Sequence, residues 1–271
     1  MMTGEPDADR PYATAPSSDH DQLRLRCIGC EVLARPLYLA AARSPHIVDV
    51  ELLRRGLHDI PVDLRGRLQQ TILETDGDTY DAVVLGYALC GQATAGLRAG
   101  SVPLVVPRAH DCITLFLGDR SRYRTESTRD PGTFWYALDY VEREDAPGAA
   151  LTGLGIGAGT EDAMKATHAE YVERYGRDNA DYLMEVLGAW RSHYDRAAYV
   201  EMGVADGSRV EQRARDDAER RGWRFEKIAG DMILVRRLLD GDWERDFLVV
   251  RPGERVVMSY DDDVVRAEPV A

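Results

Sequence analysis

The chain has 271 residues, 44% of them hydrophobic and 30% charged, enough for a buried core in one large domain or two lobes of ordinary size. Its 34 basic and 47 acidic side chains give a net charge of −13, a field that repels phosphate backbones and anionic lipid and argues against nucleic acid or a membrane surface as partner. No apolar run reaches the roughly 20 residues that a bilayer span needs.

The opening stretch MMTGEPDADRPYATAPSSDHD is acidic and Pro/Ser-rich, unlike a secretory signal, and residues 1–22 are expected to form a disordered tail on a cytoplasmic protein. Leu23 to Cys30 then reads as a buried strand. Val32 to Arg43 reads as a helix, with Pro36 tolerable only near its first turn. A second strand is expected over Ile47 to Leu52 and a helix from near Val62. The run DAVVLGYAL (81–89) predicts a fully buried strand, followed by a turn and short helix over 90–98. Val102 to Pro107 is the next strand, with a turn and helix over 109–117. Strands apolar on both faces and alternating with helices predict a parallel sheet covered on both sides.

The middle of the chain breaks this rhythm. PGTFWYALDYVERE reads as aromatic and irregular, and the Gly-rich stretch 147–160 as a linker or lid, because its glycines do not follow the dinucleotide-loop spacing. A long amphipathic helix is expected over 161–195. Alternation resumes with strands over 197–204, 223–228 and 247–250 and helices over 208–221 and 232–239. The predicted fold is α/β, two Rossmann-like lobes with mostly parallel sheets, joined by a long helix and the Gly-rich linker. The lobes span 23–130 and 196–255, the connection spans 131–195, and 256–271 reads as a solvated acidic tail around Asp261, Asp262 and Asp263.

Four cysteines in a chain this long do not make a disulfide scaffold. Cys30, Cys90 and Cys112 fall at or just beyond predicted strand ends, which share one edge in an open parallel sheet. Each also lies near a predicted helix start, where the dipole favours thiolate. Three such thiols, with His110 as a fourth ligand, suit zinc; three thiolates with an open iron position suit a [4Fe–4S] cluster. Taken singly, each cysteine is better explained by core packing. Cys27, inside its strand, reads as core. Beside the thiols, His110 is a candidate ligand or acid/base. Asp111 is its orienter or a helix N-cap, and Arg108 a clamp for an anionic substrate group. Glu201, Asp206 and Asp231 end predicted strands and suit either the same cleft or simple turns.

The strings CEVLARP, LGYALCGQATAGLRA, VVPRAHDCITLFLGDRSRY and PGTFWYAL, with YVERYGRDNADYLMEVLGAW and FLVVRPGE further on, resemble the family known as domain of unknown function 1638. The likeness runs from about residue 24 to 255 and matches Cys30, not Cys27, to the family's first cysteine. It implies a setting among corrinoid-dependent methyltransferases. The expectation that follows is a metal-thiolate protein of one-carbon metabolism, an enzyme acting on a small anionic or thiol substrate in the inter-lobe cleft. The alternatives are an accessory or metal-delivery protein that binds a corrinoid protein, and a metal-free enzyme with one cysteine nucleophile.

Overall fold

The computed structural model describes residues 22–55, 57, 61–143, 172–173, 176–177 and 194–270. The expected tail up to residue 21, the Gly-rich linker and nearly all of the long helix lie outside the described residues.

The first strand, β1 (Arg24–Cys30), leads through a 3-10 turn (Glu31–Leu33) into α1 (Ala34–Ala41). Pro36 sits in the first turn of that helix, where its missing N–H costs nothing. The chain continues through β2 (Ile47–Leu53), α2 (Pro61–Leu73), β3 (Ala82–Gly86) and β4 (Leu104–Pro107). These strands form a parallel sheet in the order β2-β1-β3-β4. The chain therefore runs outward from β1 to β2 and then crosses back to β3. The carboxyl ends of β1 and β3 consequently flank a topological switch point, the place where open α/β sheets form their crevice. Gly29 and Gly86 are paired across these two strands, and a Cβ on either would collide with Leu37 of α1. Glycine at both positions lets α1 lie directly on the sheet at the switch point.

Past β4 come α3 (Cys112–Leu117) and α4 (Arg120–Arg129), then β5 (Thr133–Ala137) and α5 (Leu138–Glu142). The segment expected to be irregular thus contains a fully buried strand. Its alternate residues serve two cores: Phe134 and Tyr136 pack with one, Trp135 and Ala137 with the other. With β6 (Arg196–Glu201), α6 (Ser208–Arg221) and β7 (Arg224–Ala229), β5 makes a second parallel sheet in the order β5-β6-β7. Val210, Ala214 and Ala218 of α6 cover one face of it. The other face, through Ala198, Val200 and Ile228, joins the core of the first sheet.

The chain then forms α7 (Ile233–Leu239) and β8 (Phe247–Val250), which returns to pair antiparallel with β4 as the fifth strand of the first sheet. Sheet membership therefore crosses the expected lobe boundaries at both β5 and β8. The expected acidic tail is also corrected. Residues Glu254–Met258 (β9) and Val265–Pro269 (β10) form an antiparallel hairpin that buries Val256, Val264 and Val265. The three aspartates lie in its turn. The fold is mixed α/β with mostly parallel sheets. None of the described helices is long and apolar enough to cross a membrane.

Candidate functional site: a thiol cavity at the switch point

Cys30 is the last residue of β1, Cys90 follows β3 by four residues, and Cys112 opens α3 after β4. The loops leaving β3 and β4 run side by side, since the amides of Leu89 and Cys90 donate to the carbonyls of Ala109 and His110 at 2.9 and 3.0 Å. That extension of the ladder brings the second and third cysteines to the end of β1. All three line one cavity of about 10 Å³, room for roughly one water molecule, together with Tyr87 and, from α5, Tyr140. The guanidinium of Arg55 lies over the Tyr140 ring at 4.1 Å.

The three cysteines are 6–9% exposed, whereas Cys27 is wholly buried and stands apart as core, as its position in the strand predicts. As placed, no three Cys, His, Asp or Glu side chains among the described residues are gathered tightly enough to hold a metal ion.

The electrostatics reverse the expectation of ready thiolates. Burial pushes the Cys30 thiol up to about 11, against the opposing pull of the Val32 backbone and the Tyr87 hydroxyl. Burial also raises Cys90, with Cys30 adding to it, and raises Cys112, with Cys90, Asp111 and Cys30 adding. A charge on Cys30 thus opposes ionisation of Cys90, and charges on both oppose that of Cys112, as in any shared low-dielectric space. The helix-dipole argument fails at Cys90 because no helix follows it. Cys90, Gly91 and Gln92 take φ of 42°, 64° and 73°, a left-handed turn. Two of those residues carry a Cβ and bear strain of the kind that collects at functional sites.

Tyr87 is the residue that sequence reasoning missed. It is 2% exposed and faces the Cys30 thiol, yet its hydroxyl has no partner of hydrogen-bond geometry among the described residues. A buried hydroxyl in that state costs about 1–3 kcal/mol unless something else meets it. The available signal was a lone tyrosine at the exit of an otherwise apolar strand, three residues before a cysteine.

The polar cluster expected beside the thiols divides between structural duty and a different cavity. Asp111 caps α3, accepting from the Ile113 amide at 3.0 Å and from the Tyr123 hydroxyl at 2.5 Å; burial is the main cause raising its carboxyl above the ordinary range. Arg108 donates to the carbonyls of Phe247, Asp263 and Val265, tying β8 to the hairpin, so its guanidinium is largely committed. His110 is exposed and lines another cavity of about 230 Å³, away from the thiols. In the second sheet, Asp206 and Asp231 accept from the amides two residues on, in the manner of turns. Glu201 accepts from Gly203 N and pairs with Lys227 at 3.4 Å; none of the three lines the thiol cavity.

Residues 52–239 match the model of a family described as "Protein of unknown function (DUF1638)". The chain belongs to that family. The matched region of this DUF1638 chain contains Cys90, Cys112, Tyr87 and Tyr140, and begins after Cys30. No curated protein and no solved structure matches the chain.

Proposed function

We propose that Cys30, Cys90 and Cys112 hold one metal ion at the switch point, and that the protein is an enzyme of methyl-group metabolism acting there on a small thiol or anionic substrate. The observation that carries this reading is the convergence of three cysteines from three strand ends on one small cavity, with a tyrosine hydroxyl that has no partner among the described residues. A cavity with room for about one water favours a single zinc ion over a four-iron cluster, which needs more space. Zinc would supply the positive charge that offsets burial of the thiolates, and would hold a substrate thiol deprotonated at neutral pH.

The fourth metal position falls to substrate or solvent in this reading, since His110 lines the other cavity. The low exposure of the thiols supports an enzyme over a metal carrier, which would present its metal to a partner. A cytoplasmic setting, where free thiols persist, two Rossmann-like lobes about the cleft, and a corrinoid protein as partner complete the proposal.

Elemental analysis and an absorption spectrum test it, on full-length protein purified without oxygen or a metal-affinity tag. About one zinc per chain and no visible band are expected, on the one-ion size of the cavity. Cys30→Ser, Cys90→Ser and Cys112→Ser should each lower the zinc content, while Cys27→Ala should not. Iron with broad visible absorption would replace zinc with the cluster. Equal metal content in all four variants, or none in the parent protein, would overturn the site and leave a single cysteine nucleophile as the surviving reading.

A further inference from the structure

The larger cavity, about 230 Å³ or room for roughly eight waters, lies on the other side of the segment 109–114 and has none of the cysteines in its wall. Two observations mark it as more than a surface dent. Thr114, 1% exposed, lines it and has a hydroxyl without any partner among the described residues. The wall also carries more positive charge than is tied down. Arg108 is committed to backbone carbonyls, but Arg120 has one long ion pair, 3.9 Å to Asp246. Arg124 is paired with Asp262 at 2.9 Å, where the two side chains are 60% and 83% exposed. An exposed pair of that kind is worth at most about 1 kcal/mol and exchanges readily for another anion.

The donors available to a ligand can be counted. Tyr123 donates its hydroxyl proton to Asp111 and Ser127 donates to the Tyr123 carbonyl, so neither serves. Thr114, Thr128, Arg120, Arg124 and the His110 imidazole remain. Asp261 and Asp262 oppose an anion at this wall; Asp261 accepts from the Ser259 hydroxyl and the Asp263 amide, which hold it ionised and turned toward its own turn. We infer that this cavity binds a small molecule bearing a phosphate or carboxylate group. Arg120 and Arg124 grip the oxyanion, the Thr114 hydroxyl donates to it, and Asp262 is displaced from Arg124 on binding. Planar guanidinium forks suit both kinds of oxyanion. The inference does not depend on a metal at the thiols.

Titration calorimetry on the full chain, with inorganic phosphate, pyrophosphate and succinate as probes, tests it. Saturable binding of at least one probe is expected, and whichever saturates identifies phosphate or carboxylate as the group. Arg124→Ala should weaken it about tenfold, the loss of one charge-assisted contact. Thr114→Val should weaken it several-fold while leaving the unliganded protein as stable as before, because the hydroxyl it removes is unpaired. Asp262→Asn should strengthen binding, by removing the competing carboxylate. Arg67→Ala, on an exposed helix position, should change nothing. No saturable binding of any probe by about 10 mM, tenfold above a Kd worth only about 4 kcal/mol, would overturn the inference. So would binding that Arg124→Ala and Thr114→Val leave intact.

Discussion

Two buried polar clusters in this molecule are built on opposite plans. Arg196, at the start of β6, is fully buried and meets Glu126 and Glu226 at 2.8 Å and Asp130 at 3.1 Å, with the Thr133 hydroxyl at 3.3 Å. Arg129 and Arg224 stand outside and share the same acids. Apart from the guanidinium Nε, which has no partner among the described residues, the charges at this point answer one another. At the thiol cavity the donors gather without matching acceptors: the Tyr87 hydroxyl has no partner of hydrogen-bond geometry among the described residues, and burial raises all three thiols, with Cys30 adding at Cys90 and both adding at Cys112. The first cluster is complete in itself and staples α4 to β6 and β7. The second, on our proposal, is completed by a ligand. Charge density alone would have ranked them the wrong way round, whereas the accounting of partners separates structure from site.

The strongest way to break that contrast is Arg196→Met. Removing the central cation leaves three carboxylates facing one another, and about 3 kcal/mol of stability should be lost, the low end for a buried pair because Arg129 still meets all three acids and Arg224 two of them. Arg224→Ala, on the exposed rim, should cost less than about 1 kcal/mol. Urea denaturation of both variants gives the comparison. An Arg196→Met protein as stable as the parent would show that the cluster holds nothing together.

The same cluster should respond to acid. The Asp130 carboxyl lies below the ordinary carboxylate range, held there first by the Arg129 hydrogen bond and then by the charge of Arg196 and its contact with Arg224. A depressed folded-state pKa contributes stability that is present above the unfolded value, about 3.9, and lost as pH falls through the folded value. Stability attributable to this aspartate should therefore be constant at neutral pH and decline below about pH 4. In Asp130→Asn that portion of the acid dependence should vanish, with overall stability at pH 7 reduced. Parallel acid profiles for the two proteins would remove Asp130 from the cluster's workings.

Where an apolar run is continuous or helical spacing is regular, the sequence was legible. The expected spans for β1, β2, β8 and α6 fall within a residue or two of the structure, and so does the gathering of the three cysteines at one sheet edge, since strand polarity in a parallel sheet dictates it. What escaped were features decided by tertiary contact. TFWYA is buried on both faces by two different cores, so it shows neither alternation nor an aliphatic run. The hairpin β9–β10 exposes most of its charged residues and hides only a few valines, and its aspartate-rich turn resembles a solvated end. His110 parted from Cys112 because Asp111 between them turns inward to cap α3, and residues two apart cannot both enter one cavity across such a cap. The thiolate expectation failed on burial, which no local spacing reports.

The finest test of the contrast is Tyr87→Phe, which keeps the ring and removes one oxygen. That oxygen is a buried hydroxyl without a partner among the described residues. Its loss should leave stability unchanged or raise it by up to about 1 kcal/mol, the reverse of what a satisfied hydroxyl would show. If the hydroxyl instead serves a ligand among the thiols, the same variant should retain zinc less well against a competing chelator, with Phe disturbing neither the cavity walls nor the three sulfurs. Gain of stability together with loss of metal is a combination that only a donor waiting for a ligand produces. A stability loss above about 1 kcal/mol with zinc retention unchanged would mean that Tyr87 is satisfied within the fold. The two clusters would then be alike, and the case for a ligand at the switch point would rest on the cysteines alone.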